Sequence, residues 1–427
     1  MFDKPRLYTI IAGAVMTLAL AAPITQASAQ QQLEVWALSG PEGNYFEQAL
    51  KRFEEANPGV TTKLVTYPNE QYKTALDVGL RSANPPDVFR NWTFERAARL
   101  VRSGVATDID DFSSEVPAGA LTEFTFDGKL YGVPFDRHGK YMWYNKAIFA
   151  DNGLDLPQSF NGLLDLCKQI RTVNPDMIPI GLGASEPWTI DAYIAILNQK
   201  LVPDDVRVAD ASLTAGADTL FTDPGYVEAL DAFKLMQTEG CFNDGINGLS
   251  PEATRTLFAT GQAAMTLCGT WCLINFDTEG LAGGYLGFRI PDIDGQKGAP
   301  NGHLVIEDGV QISTASRDRG TYDLANQFLH FIVTPQEQAE FVKTAGSLPA
   351  IPGALEFLPD VTEAFTFAVE DTAEATVIAT HLDTILDREI SDVYLRGYQE
   401  LVNDTKTSAQ IMQEVHAKAV EVQQSRS

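Results

Sequence analysis

The chain reads as an α/β protein of two lobes, each a mostly parallel sheet flanked by helices. Three observations predict this: alternating strands and helices at the start, a length beyond one core, and no Gly/Ser tether. Leu33, Val35 and Ala37 alternate as a first strand. The loop Ser39-Gly40-Pro41-Glu42-Gly43-Asn44 opens a helix with Phe46, Ala49, Leu50 and Phe53 on one face, and Asn57-Pro58-Gly59 stops it. Val60 to Tyr67 is extended again, and Tyr72 to Ser82 is helical. Pro85-Pro86-Asp87-Val88-Phe89 then leads into a short buried strand. Such an order builds a parallel sheet with helical crossovers. Further on, Tyr322, Ala325, Phe328, Leu329 and Ile332 mark a helix. Thr334-Pro335-Gln336-Glu337 is a capping box with proline at the first helical position. The C-terminal tail is helical by pattern, with no strand signal.

Residues 1–29 have the layout of a secretory signal peptide. Lys4 and Arg6 precede an uncharged apolar run from Leu7 to Ala22, followed by Pro23 and the small-residue site Ala27-Ser28-Ala29. The run is shorter than the roughly 20 residues a membrane span needs. Cleavage near Ala29 is expected, with no cysteine there to lipidate, leaving a free periplasmic protein. What remains of the 427 residues exceeds the roughly 250–300 at which single cores stop growing. The net charge of −26 repels phosphate backbones and argues against nucleic acid and loose self-association, so a monomer is expected.

There are four cysteines. Cys167 falls in the helical stripe Phe160, Leu163, Leu164, Cys167, Ile170 and reads as a buried free thiol. Cys241 with Cys268 or Cys272 would close a loop of about 30 residues. Cys268 and Cys272 pairing locally is the alternative. The spacing does not suit zinc.

The five histidines form no metal-binding spacing, and neither a nucleophile elbow nor a phosphate-cradling glycine loop is present. No metal, cofactor or catalytic activity is therefore expected. What recurs instead is an aromatic beside polar residues in loops near strand ends. The first runs from Ser39 through Glu42 and Asn44 to Tyr45; the others contain Arg90-Asn91-Trp92, Asp136-Arg137-His138, Glu186-Pro187-Trp188, Gly269-Thr270-Trp271 and Glu307-Asp308-Gly309. Aromatic faces pack on the apolar face of a pyranose, while carboxylates, amides and guanidinium groups bind its hydroxyls. Each residue alone also has a structural reading: a core tryptophan, an ion pair for Arg137, a turn for Asp308.

The sequence resembles the family 1 extracellular solute-binding proteins of sugar ABC transporters, the broad group that includes maltose-binding protein. The resemblance is carried by Leu33-Glu34-Val35-Trp36 with Ser39-Gly40, and by Phe53-Glu54-Glu55-Ala56-Asn57-Pro58-Gly59-Val60. Pro85 to Phe89, Asp127-Gly128-Lys129-Leu130-Tyr131-Gly132-Val133-Pro134 and Tyr144-Asn145-Lys146 continue it. Gly261-Gln262-Ala263-Ala264-Met265, Gly269-Thr270-Trp271 and Gly346-Ser347-Leu348-Pro349-Ala350 complete it.

The resemblance implies the two-lobed type II periplasmic-binding-protein fold, with a helical C-terminal tail and a sugar in the interlobe cleft. The chain would cross between lobes near Phe135–His138, Gly287–Pro291 and Thr334. That makes one lobe of 31–137 plus 290–333 and another of 138–289 plus 334–427. Trp188 and Trp271 would stack the sugar beside Gly269. Ser39, Glu42, Asn44 and Tyr45 would cap it, and Asn91, Trp92, Asp136, Arg137, His138, Glu186 and Asp308 would line the cleft. Tyr394 and Arg396 are tail candidates. The implied partners are a small carbohydrate and an inner-membrane ABC permease. Because His138 stands where the maltose-binding relative has an acid, a maltose binder is not expected. Two rival readings remain: a charged ligand, phosphorylated or sulfonated through Arg90, Arg137 and Arg289 or a polyamine through the acidic loops; and a secreted glycan-processing enzyme using a carboxylate pair.

Overall fold

Ten strands join in one sheet that passes through both lobes. The computed structural model describes residues 31–203, 205, 221–298, 302–375 and 377–426, besides Met1; the expected signal peptide lies outside the described residues. The strands are β1 (Gln31–Leu38), β2 (Val60–Tyr67), β3 (Val88–Trp92), β4 (Ala106–Thr107), β5 (Thr125–Phe126), β6 (Lys129–Leu130), β7 (Gly132–Asn145), β8 (Ile178–Gly181), β9 (Ala263–Gly269), β10 (Tyr285–Phe288), β11 (Gly302–Ser313) and β12 (Val377–Ala379). The sheet order is β2-β1-β3-β11-β7-β9-β8, with β4 and β12 on β11 and β10 on β7; β5 and β6 form a separate ribbon.

β1 runs parallel to β2 and β3, and β8 parallel to β9. β11 is antiparallel to β3 and β7, and β7 to β9 and β10. Each lobe is thus parallel except for one long strand, β11 in the first and β7 in the second. These two pair with each other from Val305/Gly139 to Gln311/Gly132, with a bulge at Asp308/Gly309. They are the backbone shared by the lobes.

Both faces of the sheet are covered, as parallel strands require. Leu33, Val35 and Ala37 of β1 pack on Phe46, Leu50 and Phe53 of the helix Pro41–Ala56. Trp36 and Leu38 face the other way, onto Tyr72, Phe89 and Trp92. In the second lobe, Met142 joins the core of the helices Phe160–Val173, Trp188–Leu201, Gly225–Thr238 and Arg388–Val402. Tyr141 and Trp143 face Phe258, Phe276 and Tyr285 on the opposite side.

The helix Pro335–Ala345 starts where the capping box places it, with the Thr334 hydroxyl accepting from the Glu337 amide at 3.4 Å. The Glu337 carboxylate is taken by Arg52, at 2.7 and 2.6 Å, so half of the box serves a tertiary ion pair. The tail is helical as expected except for β12, which adds to β11 along Gly302–Leu304. Three residues flanked by helices leave no periodic signal; pairing with a distant strand makes them extended.

The cysteine expectations need correction. Cys167 is not a free thiol: it is bonded to Cys241, 74 residues away. Cys268 pairs with Cys272, the local alternative, and not with Cys241. The inner face of helix Phe160–Val173 lies against the segment entering the second-lobe sheet, where Arg171 also donates to the Phe242 carbonyl at 3.0 Å. That meeting is tertiary, so spacing could not disclose it. Replacing both Cys167 and Cys241 with alanine is expected to cost about 2–4 kcal/mol, the usual worth of a cross-link over a long loop. Urea unfolding of the pair variant against the parent measures this directly.

Candidate functional site: the interlobe cleft

The site residues come from strand ends. Leu38 ends β1 and leads into the helix bearing Glu42; Arg90 to Trp92 end β3; Gly269 ends β9 and leads into Trp271; Gly181 ends β8 and precedes Glu186 and Trp188. In α/β sheets the loops after such strand ends converge on the ligand. Across the middle runs β7, whose alternate residues Asp136, His138 and Lys140 share one face by the strand's period of two.

A buried chain of alternating charges links these residues. Glu42 accepts from the Leu38 amide at 2.9 Å and lies 3.4 Å from Arg90 Nε. Arg90, 3 % exposed, also donates to Asp308. Asp308 lies 3.5 Å from His138 Nε2, which meets Asp136 at 2.9 Å. His138 Nδ1 faces the Ser347 hydroxyl at 3.2 Å. Burial pushes the Glu42 carboxyl up to about 7 against the pull of Arg90. Burial lowers His138, but Asp136 and Asp308 outweigh it and hold the imidazole up to about 9.

That shift fixes a pH dependence. A group raised on folding stabilises below its unfolded pKa, here 6.5, and loses that contribution as pH rises through about 9. The thermal stability of the parent relative to His138→Gln is therefore expected to be greatest below pH 6.5 and to decline by several degrees by about 9. Melting curves of both proteins across that range decide it; a constant difference would mean the imidazole is neutral throughout. Asp136, His138 and Asp308 lie close enough to share a metal ion. A metal there would have to displace the proton that those carboxylates favour on the ring.

The aromatic side of the cleft is Trp188 and Trp271, ring centroids 6.2 Å apart. Trp188 donates to Glu186 at 2.6 Å, and Glu186 also accepts from Asn69 of the first lobe at 3.2 Å. Trp271 meets His138 edge-on at 4.6 Å. Gly269 is what allows this: a Cβ there would lie 2.0 Å from the Trp271 ring. The Cys268–Cys272 bond closes the turn that carries Trp271. The lobes are further joined by Asp383, which accepts from Arg96 at 2.6 Å and lies 3.5 Å from Lys73.

Several expected residues sit elsewhere. Tyr45 is wholly buried in the first-lobe core, edge-on to Phe341, its hydroxyl 3.4 Å from Glu337. Asn91 is buried and donates to Gln311 at 2.7 Å, inside the sheet. The Trp92 face is covered by Arg90 at 3.9 Å and Arg96 at 4.6 Å. Ser39 and Asn44 are exposed at the start of the first helix. Arg137 pairs with Glu307 at 3.1 Å, the structural role its position allowed. Tyr394 is core, packed on Phe221 and Tyr398, and Arg396 is exposed. The tail instead brings His381, Asp383 and the Asp191 partner Tyr398 to the cleft floor; Asp191 accepts from Tyr398 at 2.6 Å and meets His381 at 2.8 Å. Lys140 is the other residue the sequence reading missed. Its place two residues beyond His138 on one strand face was the available signal.

Two α/β lobes sharing two strands over a tryptophan-lined cleft define a type II solute-binding fold. The chain belongs to the bacterial extracellular solute-binding protein family, whose model matches residues 37–339. It is 25% identical over 350 residues to a putative binding protein of Brucella abortus, covering 79% of this chain and 80% of that one. It is 25% identical over 360 residues to the sn-glycerol-3-phosphate-binding periplasmic protein of Salmonella typhimurium, with 79% of each chain covered. The solved structure of the bacterial solute receptor AcbH, described as preferring β-D-galactopyranose, superposes with a TM-score of 0.79 at 16% identity, over 93% of this chain and 99% of that one. Among the described residues no helix is long and apolar enough to cross a membrane.

Proposed function

We propose that this chain is the periplasmic substrate-binding component of a sugar ABC importer, capturing a mono- or oligosaccharide in the cleft and delivering it to an inner-membrane permease. The observation that carries the reading is the Trp188–Trp271 pair beside a row of buried charged groups. Indole faces suit the C–H face of a sugar ring, and fixed carboxylates and amides suit its hydroxyls. The protein does no chemistry on the ligand, acts as a monomer and is exported by cleavage near Ala29. Closure of the lobes is the signal to the permease, a hinge motion of known kind.

The lobes are 31–137 with 306–333, and 138–305 with 334–427. Ile290 and Leu304 both pack with the second lobe's core, which favours a second crossing along β11 over one at Gly287–Pro291. The ligand contacts are Trp188, Trp271, Glu186, Asp136, His138 and Asp308, with Glu42 behind them. An arginine-held phosphate finds no support in this cleft. Arg90 is held by Asp308 and Glu42, Arg137 by Glu307, and Arg289 by Asp371 at 2.7 Å.

A thermal-shift screen of the mature protein, refolded to strip carried ligand, tests the reading with mono- and oligosaccharides, sugar phosphates, polyols and polyamines. A ligand at 100 times its Kd is expected to stabilise by about 2.7 kcal/mol, a rise of a few degrees. Silence from every sugar with a rise from a polyamine would overturn it, as would turnover of any glycan.

A further inference from the structure

We infer that the cargo is an acidic sugar whose carboxylate pairs with Lys140. The inference rests on the reading of the cleft as a sugar site and narrows it to one substrate class. Lys140 is 2 % exposed, on the β7 face that also carries Asp136 and His138. Its ammonium lies 4.0 Å from the Trp271 ring centre and 4.6 Å from that of Trp188, the two faces offered to a sugar.

Every other cation of the cleft has its own carboxylate. Arg90 has Asp308 and Glu42, His138 has Asp136 and Asp308, Arg96 has Asp383, and Lys73 has Glu70 and Asp383. Among the described residues, Lys140 alone of this group has none within 4.0 Å. Asp191, Asp308 and Asp383 reach it only through space, and burial draws the ammonium down to about 7. The oxygens of Asp191 are engaged by Tyr398, His381 and the Leu382 amide. The two indoles offset part of the cost of burying the charge. A contact anion would offset more.

Space for that anion adjoins the amine. A small recess beside the amine is lined by Lys140, Trp188, Gly183, Thr189, Thr254 and Thr266. The three threonine hydroxyls donate to the carbonyls of Gly183, Ser250 and Gly181, so the donor to a carboxylate is the ammonium itself. A neutral sugar would accept from the ammonium and leave its charge uncompensated, whereas a carboxylate neutralises it through a stronger, charge-assisted bond. A phosphate dianion would bring one negative charge too many beside Asp191 and Asp308. A cationic ligand would face the ammonium itself.

Titration calorimetry of the mature protein with matched pairs tests this: glucose and glucuronate, galactose and galacturonate, their short oligomers, and the 6-phosphates. The parent is expected to prefer the uronate at least 30-fold. Lys140→Met is expected to lose at least tenfold in uronate affinity and to lose less for the neutral partner, so that the preference for the uronate collapses. Lys140→Gln, which keeps a polar head, serves if the methionine variant does not fold. Neutral sugars bound as tightly as uronates, or discrimination surviving both substitutions, would overturn the inference and leave the sugar reading standing. Tighter binding of the 6-phosphates would overturn the carboxylate. Silence from neutral and acidic sugars alike would remove the sugar reading and this inference with it.

Discussion

Arg90→Met is expected to destabilise the protein by about 3–5 kcal/mol near pH 7.5, the loss seen when one member of a buried charge network is removed. Arg90 sits between two carboxylates, Asp308 and Glu42, which hold its pKa above the ordinary value against the opposing effect of burial. Without it, two buried acids and the neighbouring Asp136 face one another with His138 as the counter-charge in contact. Methionine fills much of the volume, so the loss reads charge more than cavity. The deficit should shrink as pH falls, because Glu42 already titrates near 7 and can neutralise itself by taking a proton. Arg90→Lys should restore part of the stability but not the stacking on Trp92. Urea unfolding at pH 7.5 and 5.5 checks this. A methionine variant within 1 kcal/mol of the parent at both pH values would mean that the acids are already protonated.

Trp271→Ala is expected to weaken binding of the cognate sugar by about 100-fold, roughly 2.7 kcal/mol, as for a tryptophan at the centre of a site. The ring is half-buried and borders the cleft through His138, Lys140 and Trp188. Its removal costs contact with ligand more than contact with core. Melting temperature should therefore fall far less than for Trp143→Ala, whose ring is wholly buried and donates to the Cys268 carbonyl at 2.9 Å. Gly269→Ala makes the same test without deleting the indole, since the added methyl group must displace the Trp271 ring. Calorimetry on the ligand found by the thermal screen reads both. Unchanged affinity in Trp271→Ala with a collapse in stability would make Trp271 a core residue and remove the stacking platform.

The sequence reading went furthest where the signal was local. The first helix, the capping box at Thr334 and the strand ending in Trp92 are written in spacing of three to four, or two, residues. The loops after strand ends, with the family resemblance, pointed to Trp188 and Trp271; Asp136, His138 and Asp308, read as loop residues, lie instead within β7 and β11, because pairing between those two long strands keeps them extended. Tyr45 and Asn91 failed for a common reason. A polar or aromatic residue beside a loop has two faces to choose from, and only packing against Phe341 or Gln311 settles which. For Lys140 the alternation with His138 placed it on the cleft face, but nothing local showed that it is buried between two distant tryptophans.

The chain by itself determined that two α/β lobes form, where their first strands and helices begin, and which loops gather at the strand ends. Those follow from periodicity and capping, which act over a few residues. Tertiary structure decided which charges pair across the cleft, that Cys167 meets Cys241, that β12 completes the sheet, and that Lys140 lies beside no carboxylate of its own among the described residues. Each depends on groups far apart in sequence brought within a few ångströms, where burial sharpens electrostatics and hydrogen bonding in a way no local pattern records.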